Sequence, residues 1–482
     1  MRDFILGIII LIVGYFTYSK IVERVFEIDQ VSETPAIRLQ DNVDYVPMKP
    51  AKIFLIQLLN IAGLGPIFGA IQGALFGPAA FLWIAFGTIL AGGVHDYFSG
   101  MMSLRHNGKS ISEISGIYLG QKAKKVMRVF SVVLLVLTGT VFMTGPAQLL
   151  QSLGLFNITS LNIWLAIIFI YYILATIVPV DKIIGRIYPL FGATLIIMAL
   201  GVGIGLVVQG YKLPDFTLHS THPKGLPIWA MLFTTIACGA ISGFHATQSP
   251  MMARCLTNER YGRPIFYGAM VTEGIIAMVW AAAGMAFFNG IPELGRVLDA
   301  AGPGGAIREI SFSIMGSFGG ILAMIGVIIC PITSGDTAFR SARLTIADAL
   351  DRSQRTIQSR IAFAAPLFII AFLLTRIDFQ IIWRYFAFSN QALATIALWT
   401  GSSFLSRNNK AHWLTTLPAI FMTAVCSTYI LQAPEGFRLN TSIAYPLGLA
   451  IAIIISIMML ILLKKQKGVK VVDQKRRVDS IN

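Results

Sequence analysis

Long apolar runs separated by short polar stretches make up most of this chain. A helix needs about 20 apolar residues to cross a bilayer, and thirteen runs come close to that length or exceed it. The pattern therefore predicts an all-α polytopic membrane protein with about thirteen transmembrane helices. They lie at about 4–22, 53–77, 78–103, 126–150, 161–180, 186–209, 227–249, 264–290, 311–338, 358–375, 378–404, 412–431 and 442–463.

Two of these runs are interrupted by glycine. The second run breaks at Gly63-Leu64-Gly65-Pro66, and the seventh contains Gly239 and Gly243 among polar side chains. Backbone that leaves the helix inside a bilayer must be buried in protein or line a watery cavity, because lipid offers no hydrogen-bond partner. Paired broken helices in corresponding halves of a membrane protein indicate the binding site of a secondary transporter.

Composition and charge agree with membrane insertion. The chain is 55% hydrophobic and 13% charged, with a mean hydropathy of +0.72 and a net charge of +15. With the loop 20–52 placed in the cytoplasm, 28 of the 38 lysines and arginines fall in inside segments and 7 in outside segments, as the positive-inside rule requires. This orientation predicts a multi-pass protein of the cell (plasma) membrane, with the lipid bilayer as partner and no nucleic acid.

The span order predicts four regions. Residues 1–52 form a peripheral transmembrane helix and a cytoplasmic loop with one short interfacial helix. Residues 53–210 and 227–404 form two five-helix sets of opposite topology, each beginning with a broken helix, which is the pattern of an inverted repeat. Residues 411–482 supply two additional helices and a basic cytoplasmic tail.

The broken helices are the predicted substrate site. The amide end of a half-helix has partial positive charge and suits a carboxylate, whereas the carbonyl end suits a cation. Close helix packing is the alternative role for the glycines. The residues predicted to bind substrate are Asn60, Gly63, Leu64, Gly65, Gly239, Ser242, Gly243, His245, Gln248, Asn390 and Gln391.

Ion coupling is predicted at a second set of residues. Glu273 lies deep in the eighth span, where an ionisable group is costly and indicates function. Histidine is the side chain whose unperturbed pKa lies nearest to neutral pH, so His245 either couples proton movement or is a hydrogen-bonded structural residue. The hydroxyl cluster in the ninth span faces the carbonyls of the second span in this prediction and suits a sodium ion. The coupling ion is therefore either a proton or sodium. Asp336 is either a proton carrier or the ion-pair partner of Arg340. The predicted coupling residues are Ala62, Glu273, Thr333, Ser334, Asp336 and Thr337.

Other chemistry finds little support in the sequence. Asp96, near the cytoplasmic end of the third span, is either a functional candidate, as an ionisable residue within a span, or the partner of a loop arginine. His219 and His222 are two histidines without further ligands, so no metal site is expected. A nucleophile and base at recognisable spacing is absent, which argues against an enzyme. We expect no cofactor besides the coupling proton or sodium.

Six ordered motifs resemble the carbon starvation protein A (CstA) family over residues 30 to 400. The motifs are Thr34-Pro35-Ala36, Asp44-Tyr45-Val46-Pro47, Gly63-Leu64-Gly65-Pro66, Gly108-Lys109-Ser110, the stretch from Cys238 to His245, and Asn390-Gln391-x-Leu393-Ala394. The chain departs from longer members by ending soon after its last span, and by His95-Asp96, where longer members have another polar residue before the aspartate.

The resemblance implies a bacterial inner-membrane transporter that takes up peptides or, in some members, pyruvate with protons during nutrient limitation. It also implies the five-plus-five fold of the amino acid-polyamine-organocation superfamily. The resemblance implies functional roles only at the matched positions, which are the Gly63 to Pro66 break, the Cys238 to His245 stretch, Asp336, Asn390 and Gln391.

Spans, breaks and resemblance together predict a proton-coupled importer of peptides or pyruvate-like carboxylates that works by alternating access. The choice between the two substrates, and the oligomeric state, stay open. The alternative is a starvation-linked membrane sensor or channel without coupled transport. Such a protein would have the same spans but would not need Glu273, His245 or Asp336.

Overall fold

The computed structural model describes residues 1–41, 44–177, 180–350, 352, 354 and 356–469, without the side chains of residues 155, 177 and 180–189. The end of the predicted basic tail therefore lies outside the described residues.

Across these ranges the fold is all-helical. Its α-helices are α1 (Arg2–Phe16), α2 (Tyr18–Phe26), α3 (Pro35–Arg38), α4 (Pro50–Ala62), α5 (Ala70–Gly73), α6 (Ala79–Leu82), α7 (Gly93–Arg105), α8 (Ile111–Leu119), α9 (Gln121–Leu153), α10 (Leu161–Ile177), α11 (Val180–Val208), α12 (Phe233–Thr235), α13 (Gly243–Ala253), α14 (Gly268–Phe287), α15 (Ile291–Ala349), α16 (Ile357–Leu374), α17 (Phe379–Arg407), α18 (Trp413–Gln432) and α19 (Thr441–Gln466).

Most predicted spans have a membrane-length helix. Within the described residues, nine helices are long and apolar enough to cross a bilayer, and a bent pair raises the number to ten. The other three predicted spans are helical but differ: α10 is shorter, the region 228–253 is broken, and α17 is long but polar at Ser389, Asn390 and Gln391. The polytopic all-α class is confirmed, while the count of thirteen stays a prediction.

Both predicted breaks are present. In the second span, α4 ends at Ala62 and a π-helical turn restarts at Gly65, with a bend of 53° between the halves. In the seventh span, α12 ends at Thr235 and α13 begins at Gly243, with residues 236–242 unwound. Glycine permits the first bend, because Gly63 has a φ of +33° that side chains disfavour.

The first helix lies on the outside of the bundle. A Cβ on Gly7 would lie 2.7 Å from Met278 of α14, and one on Gly14 would lie 2.3 Å from Ile89. These two glycines let α1 pack closely on the third and eighth spans. The loop that follows contains the one short helix that the sequence predicted, α3.

A bidentate ion pair joins the inner ends of the third and eighth spans. Arg105, at the end of α7, donates from Nε and Nη2 to the two carboxylate oxygens of Glu259, each at 2.9 Å. Glu259 also accepts from the backbone amide of Asp29 at 2.7 Å. Bidentate Arg–carboxylate pairs hold a defined geometry, so this pair fixes the distance between the inner ends of the third and eighth spans.

Candidate substrate and proton site

The two breaks lie directly against each other. A Cβ on Gly65 would lie 2.2 Å from the Cβ of Cys238, which stands in the unwound part of the seventh span. A Cβ on Gly63 would lie 2.3 Å from the ring of Phe142 in α9. The structure thus brings Gly65 and Gly239 of the two breaks together, while Gly63 faces Phe142 and Gly243 faces Asn390.

Replacing Gly65 with alanine should separate the two broken helices. The added methyl group would overlap Cys238, and overpacking a tight core costs about 1–3 kcal/mol. We expect Gly65→Ala to lower the thermal unfolding temperature and to reduce uptake.

Gly326→Ala is the matched control for this change, because a Cβ on Gly326 would meet only ordinary contacts at 3.7 Å and beyond. Thermal unfolding in detergent compares the two variants. Equal unfolding temperatures would contradict the close contact of the breaks.

Neighbouring side chains satisfy the free carbonyls of the seventh span. Trp83 Nε1 donates to the carbonyl of Ile236 at 3.0 Å, and Thr88 Oγ1 donates to that of Gly239 at 3.1 Å. Both donors stand on the π-helical stretch Trp83–Gly92 of the third span. The unwound backbone is therefore buried in protein, as a bilayer requires, and the sequence had not indicated these two donors.

Asn390 caps the half-helix α13. Its Oδ1 accepts from Ser242 Oγ at 2.8 Å and from the Phe244 amide at 2.9 Å, while its Nδ2 donates to the carbonyl of Phe386 at 3.2 Å. Gly243 allows this approach, because a Cβ there would lie 2.6 Å from the Asn390 carbonyl oxygen. In this conformation Asn390 and Ser242 join α17 to the break, so a substrate carboxylate would have to displace the cap to reach these amides.

Ser334 joins the hydroxyl cluster of α15 to the second span. Ser334 Oγ donates to the carbonyl of Leu59 at 2.8 Å, near the end of α4. Thr333 and Thr337 donate to carbonyls of their own helix. Asp336 lies 3.8 Å from Arg340, so the ion pair that the sequence offered as an alternative is formed.

Several buried amide side chains near the breaks have polar atoms without a hydrogen-bond partner among the described residues. They are both polar atoms of Asn60 and Gln57 and the Oε1 atoms of Gln248 and Gln391. Gln248 and Gln391 use their Nε2 atoms on Thr247 and on the Phe233 carbonyl. Buried polar atoms normally have partners, so water or a ligand is expected beside them.

A buried acid–histidine chain lies between the third, seventh and eighth spans. His95 Nδ1 lies 2.7 Å from Asp96 Oδ1, and the other oxygen of Asp96 lies 2.8 Å from His245 Nδ1. His245 Nε2 lies 3.3 Å from Glu273 Oε2. All four side chains have no exposed surface. Oxygen and nitrogen thus alternate over three close contacts inside the membrane.

Small residues bring these helices close enough for the chain to form. A Cβ on Gly92 would lie 2.1 Å from the carbonyl oxygen of Ala240, and one on Gly274 would lie 2.6 Å from Thr88 Oγ1. Gly92 comes shortly before His95 and Asp96, and Gly274 directly follows Glu273. Close packing by small residues is typical of membrane helices, and here it sets the spacing of the ionisable groups.

The structure contradicts one of the two alternatives for Asp96, the pair with a loop arginine. Asp96 pairs with His95 and His245 instead. Its linear distance from the span's end suggested a cytoplasmic partner, but α13 re-enters at the same depth. The other alternative, that an ionisable residue within a span is a functional candidate, is the one that the contact of Asp96 with His245 supports. Arg384, in the eleventh span, pairs with Glu435 at 3.2 Å.

Comparison with known proteins matches the chain to one family. The family model described as carbon starvation protein CstA matches residues 3–155, 150–291 and 295–429. The peptide transporter CstA of Campylobacter jejuni is 24% identical over 92% of this chain and 82% of its own length. The pyruvate/proton symporter BtsT of Escherichia coli is 26% identical over 56% of this chain, but the matched part spans only 46% of BtsT.

A solved structure with the same fold is also a transporter. A mutant of a manganese transporter from Eremococcus coleocola superimposes with a TM-score of 0.55 over 89% of this chain and 98% of its own, at 14% identity. At this identity the likeness concerns the fold alone. Relatives and fold together show a multi-pass cell-membrane transporter and not an enzyme.

Proposed function

The chain belongs to the carbon starvation protein CstA family, and from that membership we propose that it imports peptides or pyruvate-like carboxylates together with protons by alternating access. The single observation that carries the proton coupling is the buried acid–histidine chain of His95, Asp96, His245 and Glu273. The substrate site lies beside it, at the contact of the two breaks.

The chain holds one transferable proton. An ionised carboxylate accepts hydrogen bonds and donates none, so Asp96 requires a proton on Nδ1 of His245. The other ring nitrogen of His245 then faces Glu273. The two atoms are 3.3 Å apart without a hydrogen bond between them, and either the ring nitrogen or the carboxylate oxygen can carry the proton. His245 and Glu273 together therefore form the proton site, and Asp96 sets the tautomer of His245.

Burial links the proton to the conformational cycle. If the shared proton left, Asp96 and Glu273 would both be carboxylates with no exposed surface. Such charge is costly away from water, so the proton leaves only when the helices part and the site hydrates. Alternating access then moves a proton with each substrate, because the site closes over bound substrate only while the proton is present.

Family relatives support the two substrate classes, and the buried amides support a polar ligand. Asn60 offers both of its polar atoms, and Gln248 and Gln391 offer their Oε1 atoms, without partners among the described residues. Such groups hydrogen-bond a peptide backbone or a keto acid. The amide end of α13 has partial positive charge and suits the carboxylate that both substrate classes share.

Uptake into proteoliposomes tests the proposal. Labelled pyruvate and a labelled dipeptide are each offered with an imposed proton gradient or sodium gradient. We expect the proton gradient to drive accumulation of one of them, by about tenfold per pH unit for one coupled proton, since a pH unit corresponds to about 1.4 kcal/mol.

Two outcomes would contradict it. Accumulation driven by sodium alone would move coupling to the oxygen atoms of Ser334 and Leu59. Folded protein that shows no gradient-dependent uptake of either compound would favour the sensor or channel.

A further inference from the structure

An apolar groove runs along the membrane-facing side of α10 and α16. It encloses about 420 Å³, within the range of about 300 to 1,000 Å³ that small-molecule sites occupy. Phe169 and Ile173 form one wall, and Ala365, Ile369 and Phe372 form the other. The hydroxyl of Thr176, also in the groove, is used on the carbonyl of Tyr172 at 3.0 Å, so the walls present hydrocarbon.

Arginines stand at the inner end of this groove. Arg360 directly precedes Ile361, which lines the groove on α16. On the α10 side, Arg340 Nη2 donates to the carbonyl of Ala175 at 3.1 Å, one residue before Thr176. The positive-inside tally places this end of both helices at the cytoplasm. The groove therefore lies in the inner leaflet and ends at positive charge.

Arg343 adds a guanidinium that forms no ion pair with the described residues. The residue is 5% exposed, and its Nε and Nη1 are buried with no hydrogen-bond partner among the described residues. Arg340 and Arg360 repel its charge, while Asp336 and Asp44 attract it. Asp336 already lies 3.8 Å from Arg340. A buried charge without an ion-pair partner is costly, so the guanidinium of Arg343 is a candidate to bind an anionic group.

We propose that this groove binds an anionic phospholipid of the inner leaflet, with an acyl chain between α10 and α16 and the phosphate on Arg343 and Arg360. Basic pockets between transmembrane helices on the cytoplasmic side suit such headgroups. The apolar groove and the arginines at its inner end match the two parts of one lipid molecule. A free anion would use the arginines but not the groove.

Native mass spectrometry of the full chain in detergent, titrated with phosphatidylglycerol or with phosphatidylcholine of the same acyl chains, tests this site. We expect phosphatidylglycerol to bind more tightly. A basic residue near anionic lipid contributes about 1 kcal/mol, so Arg343→Gln and Arg360→Gln should each weaken binding about fivefold. Arg360 is partly exposed, so its variant tests the site even if Arg343→Gln misfolds.

A second change tests the groove itself. Ala365→Trp fills the space between the helices and should also weaken phosphatidylglycerol binding. Ala450→Trp on the exposed face of α19 and Arg296→Gln in the outer segment are the matched controls and should bind as the wild type does. Equal affinity for both lipids, no effect of the arginine changes, no effect of Ala365→Trp, or displacement of the lipid by free pyruvate would each overturn the proposal.

Discussion

Glu273→Gln should abolish proton-driven accumulation of substrate. Glutamine keeps the size of the protonated glutamic acid and can donate to His245 Nε2, but it cannot release a proton. The variant therefore holds the site in its loaded form. We expect the accumulation of about tenfold per pH unit to fall to none, while exchange of labelled for unlabelled substrate across the membrane continues.

Continued exchange separates lost coupling from lost folding. Glu293→Gln is the matched control, since Glu293 lies in the outer helical segment and pairs with Arg296 at 2.7 Å. That variant should accumulate substrate as the wild type does. If Glu273→Gln still concentrated substrate against an imposed proton gradient, the proton site would lie elsewhere.

Asp96→Asn should slow transport by about 10²-fold or more, the range seen when a positioned proton carrier loses its function. Asparagine offers an amide that donates where Asp96 accepts, so His245 is no longer held with its proton on Nδ1. Its Nε2 then carries the proton in the neutral ring and cannot accept one from Glu273. Asp96 thus acts on the proton through His245, as a positioning residue.

The pH profile distinguishes this role from a structural one. Initial uptake rates of Asp96→Asn should lose the dependence on external pH that the wild type shows, while the thermal unfolding temperature in detergent changes little. Asp299→Asn, which removes an exposed pair with Lys224 at 2.8 Å, should keep the wild-type profile. An unaltered profile in Asp96→Asn would remove Asp96 from the proton path.

Some of the site could be predicted from single stretches of sequence. Gly63 and Gly65 predicted the first break. Only glycine tolerates the backbone bend at Gly63 and the close contact of Gly65 with Cys238. The i to i+4 spacing of Asp336 and Arg340 likewise offered the pair that is found. These features depend on neighbours in the chain, so their residue types were informative.

The spacing of residues along the chain could not predict other contacts of the site. Thr333, Ser334 and Thr337 were predicted together, yet Ser334 reaches Leu59 while the two threonines donate to their own helix. Rotation of α15 about its axis decides which hydroxyl faces α4, and a bilayer imposes no such rotation. The capping of α13 by Asn390 similarly depends on where α17 crosses the break.

The sequence by itself determined the membrane class and the two breaks, because apolar length and glycine act locally or against the lipid; the orientation stays a prediction from the position of the basic residues. Only the tertiary structure decided which ionisable groups meet. Asp96 and His245 are 149 positions apart, and their contact follows from the close packing of three helices at glycines. The packing of the helices against each other decides which side chains meet inside the membrane, because the lipid gives no preference for one pair of helices over another.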